Sequence, residues 1–557
     1  MVEGRITRTC SLLIASVAVA ALLPAPAAAF SRLDPGRVYL EARAAAIDGN
    51  HSRSAQLLAQ LVDTSVANPT VAKEAVSQAI SAGDMKLALR LSKGMPTASL
   101  PSEARMLLVA DALRSNDTVR ALALLQGGTD ATDFGFLKPF VQAWAAADAG
   151  NQAGALSALD TLAAPNLLAA LGPEHRALIL LKFRRSAEAE PYVTQALKVA
   201  GGRDMRLRIA FADGYLAAGD RARAVALLGD LGTEADRARE RVLQGKADNL
   251  RVDNSREAFA EVLIVLAAEL NRLRNPTLPV SFSQVARFAA PDNSAVAVML
   301  GALLDRRDRT PEALAVLRTV PNADPLAPQA RDAEIRALIG SDRDQEALQA
   351  AQRAIESGMT AVSDYARLGD AYAALKHYGD AAGAYGRALQ LAANAKPEDR
   401  WPLLLLQASA LEQGNRWPEA RAALTTALAL APNEPLNLNF LGYAQLERGE
   451  NMDAAEAMIR KASALAPDDA SITDSLGWAL YKRGRTAEAI EILTRAAKGD
   501  PAQAEIHEHL GDALYKAGNR FEARYAWSAA LITGDDEITQ RVKAKLETGL
   551  TPASAAP

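Results

Sequence analysis

The residues best suited to chemistry are a histidine–glutamate–histidine run near the carboxyl terminus, His507-Glu508-His509. The run is similar to the start of the His-Glu-x-x-His zinc motif, but Gly511 stands where the second histidine of that motif belongs. On a helix, His507 and His509 point about 200° apart, so they cannot share a metal ion. We therefore expect no metal site in this run.

Other catalytic signals are also missing from the sequence. It contains no Gly-x-Gly-x-x-Gly fingerprint, no Walker loop and no Gly-x-Ser-x-Gly elbow. The paired carboxylates Asp468-Asp469 and Asp535-Asp536 fall at predicted helix starts, where they would cap backbone amides. The remaining histidines are isolated: His51, His175 and His377. We predict a protein that is not an enzyme and has no cofactor; a catalytic site between two arms is the alternative from that class.

The composition favours helices. The chain has 557 residues, of which 49% are hydrophobic and only 5% aromatic, because alanine is the commonest residue. Good helix formers at this density argue against a β-sandwich or barrel. The 62 basic and 66 acidic residues give a net charge of −4, which argues against a broad basic surface. We expect an all-α protein that does not bind nucleic acid.

A repeat of about 34 residues runs through the chain. Near its end, Leu476-Gly477 recurs 34 residues later as Leu510-Gly511. Alanines that open a second helix follow one another in steps of 33 to 35, except for one step of 39 and one gap of 55. These alanines are Ala55, Ala88, Ala121, Ala155, Ala189, Ala224, Ala258, Ala313, Ala347, Ala381, Ala420, Ala455, Ala489 and Ala523.

Each repeat has the pattern of two helices joined by a tight turn. Between Asp474 and Pro501, small and apolar residues recur at helical spacing in two runs separated by Gly484. Glycine permits the left-handed backbone that ends a helix, and proline stops the second run. Because one hairpin cannot bury its apolar stripe alone, neighbours must stack, and we predict a right-handed superhelical solenoid.

The gap of 55 residues divides this solenoid. We predict divergent helical repeats over residues 39–270, a connector with a register break over 271–291, where prolines cluster, and a stronger array over 292–535. A capping helix follows over 536–550, since Ile538, Val542 and Leu546 form a narrow apolar stripe.

Two short terminal segments complete the predicted organisation. Residues 551–557 are expected to form a disordered tail. At the other end, residues 1–29 have the layout of a signal peptide: two arginines, an apolar run over 12–23, and small residues that place cleavage after Ala29. That run is shorter than the ~20 residues that a bilayer span needs, although an amino-terminal anchor is the alternative. Cys10, the one cysteine, precedes the apolar run and therefore cannot be a lipobox cysteine that carries a lipid anchor. From the layout of residues 1–29 we expect an exported, periplasmic protein with no transmembrane span.

The spacing resembles the tetratricopeptide repeat. The matching positions are Leu476-Gly477, Tyr481, Ala489, Ala496 and Pro501. Three more particular strings, at 439–443, 474–481 and 509–512, are similar to the carboxy-terminal repeats of a proteobacterial envelope family. One relative there is an outer-membrane lipoprotein that binds a carboxyl-terminal processing protease and presents cell-wall hydrolases to it. The resemblance implies a protein or peptide partner, with such a protease as the specific candidate.

In stacked hairpins the first helix of each repeat lines the concave side. Side chains two or three residues before the repeat glycine, and one after it, are expected to face this groove, with a tyrosine one turn further along. The predicted protein-binding residues are Asn439, Tyr443, Asp474, Trp478, Tyr481, His509, Asp512 and Tyr515. For Trp478 and Tyr443, packing between repeats is an equal alternative. Asp474, Asn439 and Asp512 favour the groove because burying an unpaired polar group is costly.

These observations predict a non-catalytic periplasmic scaffold or adaptor that holds proteins along the concave face of a superhelix. A subunit of a polysaccharide-export or outer-membrane assembly machine is the second binding hypothesis. The sequence leaves the oligomeric state and the partner open.

Overall fold

The computed structural model describes residues 34–64, 68–126, 134–162, 170–229, 231, 235–247, 252–356 and 361–556. The predicted signal peptide lies outside these residues. Within them the chain forms 30 α-helices and no β-strand, which confirms the all-α prediction. No helix in this part of the chain combines the length and apolar character needed to cross a membrane.

Most of the helices pair as first and second members of successive hairpins. The first thirteen are α1 (Pro35–Ile47), α2 (His51–Asp63), α3 (Pro69–Ser81), α4 (Met85–Lys93), α5 (Ser102–Arg114), α6 (Thr118–Leu124), α7 (Lys138–Asp148), α8 (Gln152–Leu159), α9 (Gly172–Lys182), α10 (Ser186–Lys198), α11 (Asp204–Ala217), α12 (Arg221–Leu227) and α13 (Asp236–Leu243). The others are α14 (Ser255–Arg272), α15 (Leu278–Ala289), α16 (Ser294–Asp305), α17 (Thr310–Leu317), α18 (Ala327–Gly340), α19 (Asp344–Glu356), α20 (Val362–Ala374), α21 (Tyr378–Leu391), α22 (Pro397–Gln413), α23 (Trp417–Leu430), α24 (Pro435–Glu447), α25 (Met452–Leu465), α26 (Ala470–Lys482), α27 (Thr486–Gly499), α28 (Ala504–Lys516), α29 (Arg520–Thr533) and α30 (Asp536–Thr548). Helices α1–α12 and α14–α29 form these pairs, whereas α13 and α30 are single helices among the described residues.

Left-handed residues shape the turns of the hairpins, one in most turns and two, Gly449 and Asn451, in the α24–α25 turn. Gly484 and Gly518, 34 residues apart, have φ values of 79° and 90°, a conformation that glycine adopts without strain. Equivalent turns use residues other than glycine, which the sequence pattern does not reveal: Asn116, Arg184, Asp308, Asp342, Lys376 and Asn415. The repeat is therefore more regular in the backbone than in the sequence.

The alanine ladder marks where paired helices approach most closely. Every alanine of the ladder is at most 1% exposed. In the α26–α27 hairpin, a Cβ added to Gly477 would lie 2.6 Å from Leu493 Cγ, well inside van der Waals contact. Small residues at these positions allow the short interhelical distance on which stacking depends.

The predicted connector is itself part of a hairpin. Residues 278–289 form α15, which packs along α14, and the turn residue Arg274 has a φ of 58°. Arg274 precedes the next turn residue, Asp308, by 34 residues, so α14 is a first helix and Ala258 does not open a second helix as predicted. The prediction for Ala258 was wrong for two reasons. Alanine is common enough to continue the 34-residue steps by chance, and the turn residue is Arg274, not the glycine that usually marks such a turn. The repeats thus form two units, the amino-terminal stack α1–α13 and the carboxy-terminal array α14–α30.

The α14–α15 hairpin lies on the inner face of the amino-terminal stack, the face formed by its first helices. Helix α15 packs against α5 and α3, and α14 packs against α7 and α5. At the edges, the Asp148 carboxylate accepts from the Ser255 amide at 2.9 Å, and Arg309 donates to the Ser81 carbonyl at 3.0 Å. One hydrophobic core consequently extends through the stack and this hairpin, from Val38 to Leu326.

A buried ion cluster joins the same surfaces. Arg206 of α11 pairs with Glu261 of α14, which is 1% exposed and also accepts from Asn293 at 2.8 Å. On α9, Glu174 accepts from Arg203 at 2.8 Å. Because each buried charge has an opposite charge or a donor, the polar cluster is compatible with the surrounding apolar core.

Helix α30 closes the carboxyl end as the predicted capping helix. Val542 is fully buried against the last hairpin, and Lys545, also fully buried, lies 2.7 Å from Glu508 and 2.8 Å from Asp512. The tail beyond it differs from the predicted disordered segment, since Ala556 is buried and its amide donates to Asp512 at 2.9 Å. Asp512 of α28 therefore accepts from both the Lys545 ammonium and the Ala556 amide.

Candidate functional site

A cavity of about 280 Å³ opens on the inner face of the carboxy-terminal array. Four successive first helices, α22, α24, α26 and α28, contribute to its lining. Three of the predicted binding residues line it, namely Asn439, Tyr443 and Asp474. The other five predicted residues are not among its lining residues.

Asp474 is the most constrained of these residues. Helix α26 begins beside Asp469, whose side chain accepts from the Ile472 amide at 2.9 Å and so fixes the start of the helix that carries Asp474. Asp474 is only 5% exposed; its Oδ2 contacts His509 Nδ1 at 2.9 Å, while Oδ1 has no hydrogen-bond partner among the described residues. A buried carboxylate oxygen without a partner is costly, and this atom retains the capacity to accept a hydrogen bond.

The neighbouring first helix adds a second acceptor of the same kind. Asn439 of α24 donates through Nδ2 to Ser475 Oγ at 3.2 Å, and its buried Oδ1 has no partner in the described part of the chain. One turn further along α24, burial strongly raises the pKa of the Tyr443 phenol. Tyr443 thus remains a neutral hydroxyl at the cavity wall.

Trp478, Tyr481 and His509 lie behind the cavity. The Trp478 ring is 1% exposed and stacks on His509 at a centroid distance of 4.1 Å and on Tyr481 at 4.6 Å. Its Nε1 donates to Glu447 at 3.1 Å. For Trp478 the structure selects packing between repeats, the alternative that the sequence left open. His509, which is fully buried, supports Asp474 from behind and does not line the cavity.

Asp512 and Tyr515 belong to the carboxyl-terminal cap, not to the groove. Asp512 is fully buried and accepts from Trp527 Nε1 at 2.9 Å as well as from Lys545. Tyr515 packs against Trp527 with a centroid distance of 5.3 Å. The expectation that Asp512 faces the groove was wrong because the cost of burying it is offset by these donors.

The cavity also contains residues that the sequence pattern did not single out. Leu436, Ser471 and Glu505 occupy the position six residues before the repeat glycine, and all three line the cavity. Helical periodicity could have identified them, since residues three and four apart share a face. The groove thus begins about one turn earlier on each first helix than the sequence predicted.

The electrostatics of this site depend on the fully buried His509 and the half-buried Glu505. Burial raises the pKa of the Glu505 carboxyl, whose nearest oxygen is 4.0 Å from His509 Nε2. Burial opposes protonation of His509, but the adjacent Asp474, with Glu505 and Asp512, outweighs that effect and raises the pKa of His509. The site thus combines two acidic side chains, Asp474 and Glu505, with one histidine whose charged form is favoured.

A larger cavity, about 830 Å³, lies between the two units. Two of its carboxylates have structural partners: Asp324 accepts from Ser294 Oγ at 2.6 Å, and Glu257 accepts from the Asp253 amide at 2.8 Å. No histidine is among its described lining residues. The cavity is formed where several helix ends meet, and its described lining residues contain no nucleophile–base pair.

Comparison with known proteins supports the repeat assignment. Two family models match the chain, one for a tetratricopeptide repeat over residues 405–470 and one for a TPR repeat over residues 477–518. No curated protein matches the sequence.

Solved structures of low identity resemble the chain. The APC/C hetero-tetramer Cut9–Hcn1 aligns with a TM-score of 0.38 and 14% identity, covering 93% of this chain and 97% of that chain. A thermophilic repeat protein of Thermus thermophilus gives 0.30 and 22%, covering 34% of this chain and 100% of its own. A tetratricopeptide repeat protein of Parabacteroides merdae gives 0.35 and 14%, covering 52% and 99%.

The first match contains Asn439 and Tyr443, and the second contains Glu505. Asp474 lies in the interval 471–476 between the two matches. The segments on either side of Asp474 thus match tetratricopeptide repeat models.

Proposed function

We propose that this protein is a scaffold that binds a segment of another protein along the inner face of α22–α28. The observation that carries the proposal is the cavity shared by four successive first helices, with the unpartnered carboxylate oxygen of Asp474 in its wall. Tetratricopeptide repeats match this region, and a curved face of this kind suits an extended ligand.

The proposal also covers the cellular location of this protein and the identity of its partner. The signal-like layout of residues 1–29 supports export to the periplasm, where the scaffold would act. The resemblance of the strings at 439–443, 474–481 and 509–512 to an envelope family supports a carboxyl-terminal processing protease and its cell-wall hydrolase substrates as partners.

Site-specific photocrosslinking in the native envelope tests both statements. A photoreactive phenylalanine analogue would replace Tyr443 at the cavity or, as the matched control, Tyr525, which is 65% exposed on the outer helix α29. We expect the analogue at position 443 to capture a protein that the analogue at 525 does not. Identical products at both positions would contradict the groove assignment.

The identity of the captured protein tests the finer proposal. A protease or wall hydrolase would support the adaptor role, whereas an outer-membrane barrel or a polysaccharide-export component would favour the assembly-machine alternative. Fractionation of the tagged full chain, followed by amino-terminal sequencing, tests export. Retention of residues 1–29 on a cytoplasmic protein would contradict it.

A further inference from the structure

The lining of the smaller cavity is rich in hydrogen-bond acceptors and contains no basic residue within the described chain. Asp474 Oδ1 and Asn439 Oδ1 are buried acceptors without donors. The Glu505 carboxylate lies at the same cavity, with a side chain that is 46% exposed. A ligand that satisfies these atoms must donate hydrogen bonds, and a charged donor does so best.

The walls favour a particular kind of donor. Leu405, Leu436 and Phe440 provide apolar surface on the same cavity, and the polar groups lie on α24, α26 and α28. A side chain with an apolar stem and a cationic head matches both surfaces, because its methylene groups cover apolar area while its head meets carboxylates. A backbone amide supplies a single donor, whereas a lysine or arginine head supplies several donors to the same cluster of acceptors.

We propose that this cavity is a subsite for one lysine or arginine side chain of the bound peptide segment. The inference rests on the proposed peptide-binding function and specifies its selectivity. The stem lies between Leu436 and Phe440, and the cationic head donates to Asp474 Oδ1 and Glu505. Ligand binding then supplies the donors that the free protein lacks.

The chain uses the same chemistry one repeat further on. Glu508 stands at the repeat position of Asp474, three residues before the repeat glycine, and it holds the ammonium of Lys545 at 2.7 Å. There the cation comes from α30 and is part of the cap. At the cavity, His509 already contacts Oδ2 of Asp474, but no lysine or arginine is among the described lining residues, so the cation proposed for Oδ1 and Glu505 comes from the partner.

A positional peptide library on the purified chain lacking residues 1–29 tests the subsite. We expect retained peptides to be enriched in lysine or arginine at one position. A peptide made from the preferred sequence should bind at least ten-fold more tightly than the same peptide with norleucine, which keeps the stem and removes the ammonium. Enrichment of acidic residues, or equal binding of the two peptides, would overturn the subsite while leaving peptide binding intact.

Matched variants connect that preference to the cavity. Asp474→Asn and, separately, Glu505→Gln should each lower the lysine-to-norleucine affinity ratio several-fold. The control is Glu491→Gln, which makes the same carboxylate-to-amide change at an exposed position on the second helix α27. It should leave the affinity ratio unchanged. Glu505→Gln serves as the independent test if Asp474→Asn disturbs His509. A ratio that survives both cavity variants would overturn the assignment, and a library from which no peptide is retained would overturn peptide binding itself.

Discussion

The two units of this solenoid use the same inner face in opposite ways. In the amino-terminal stack, the first helices α3, α5 and α7 are covered by the chain's own α14–α15 hairpin, and the interface continues the hydrophobic core. In the carboxy-terminal array, the inner face of α22–α28 carries a cavity with unpartnered acceptors. The difference teaches that a repeat fold by itself does not provide a binding groove, because the face must also be left uncovered.

Two buried histidines show the same contrast. In the stack, His175 Nδ1 accepts from Trp144 Nε1 at 2.9 Å, and burial lowers the pKa of the imidazole to about 4. In the array, His509 contacts Asp474, and its pKa is raised despite burial. The first site favours a neutral ring inside a closed core, and the second favours a charged ring behind a recognition surface.

The largest expected effect comes from overfilling the helix contact beneath the groove. Ala489→Arg places a long charged side chain at a fully buried position and should destabilise the array by about 5 kcal/mol or more through overpacking and charge burial. Segment-resolved hydrogen exchange should show loss of protection in α26–α29, and peptide binding should be lost. Ala487→Arg, on the exposed side of α27, is the control and should change little.

The same substitution in the other unit sharpens the comparison. Ala88→Arg should disrupt α3 and α4 but leave peptide binding at the cavity in place, since contacts in a solenoid are mainly between neighbours. Loss of cavity binding in this variant would show that the two units do not act independently.

A second test weakens the contact between the amino-terminal stack and the α14–α15 hairpin by removing one buried charge. Arg206→Ala leaves Glu261 buried without its main partner and should cost about 3–5 kcal/mol, measured as earlier unfolding of the stack in denaturant. The double variant Arg206→Met with Glu261→Leu should recover much of that loss. Equal destabilisation of the single and double variants would mean that packing, not the ion pair, dominates this interface.

The histidines predict opposite responses to acid. Because the pKa of His175 is about 4 in the folded state, below the 6.5 of an ordinary histidine, the unfolded chain binds the proton first as the pH falls. Stability of the stack should therefore fall between pH 6.5 and 4 by an amount on the order of 3 kcal/mol. Denaturation midpoints across this range, compared with those of His175→Gln, measure the effect.

At His509 the pH dependence of stability has the opposite sign. Its raised pKa means that the folded state binds the proton more tightly, so its stabilising contribution is present below pH 6.5 and is lost as the pH rises through the folded pKa. Histidine NMR should show His175 neutral and His509 charged at pH 6. The same charge state for both rings would contradict the contrast between the units.

The smallest expected effect tests the tail. Truncation after residue 550 removes the hydrogen bond from the Ala556 amide to Asp512 and should cost about 1 kcal/mol in the last hairpin and cap. Thermal unfolding of the truncated chain should show this modest loss, with no change in the amino-terminal stack. An unchanged melting curve would mean that the tail contributes nothing to the cap.

Much of the fold could be predicted because small residues have a direct steric consequence. Gly477 and Ala489 lie where two helices touch, and no larger residue fits there without displacement, so the period is visible in the sequence. The turns were harder to detect, since Arg274 and Lys376 adopt the left-handed backbone that glycine usually marks. The sequence pattern therefore predicts the wrong register at α14 and a connector where the structure has the α14–α15 hairpin.

The candidate site could be predicted only in part. Asn439, Tyr443 and Asp474 followed from their distance to the repeat glycine, and extending the same helical face would have added Ser471 and Glu505. Asp512 could not be distinguished in this way, because its donors lie on α29, α30 and the tail. A polar residue on the correct helical face is accessible only if no later segment covers it.

The sequence by itself determined the period, the helical hairpin and the alanine contacts, because these depend on backbone preferences and on side-chain size within one repeat. Only the tertiary structure decided which inner face is free. That outcome depends on contacts between residues far apart in the chain, such as Arg206 with Glu261 and Asp512 with Lys545, whose pairing no local spacing encodes.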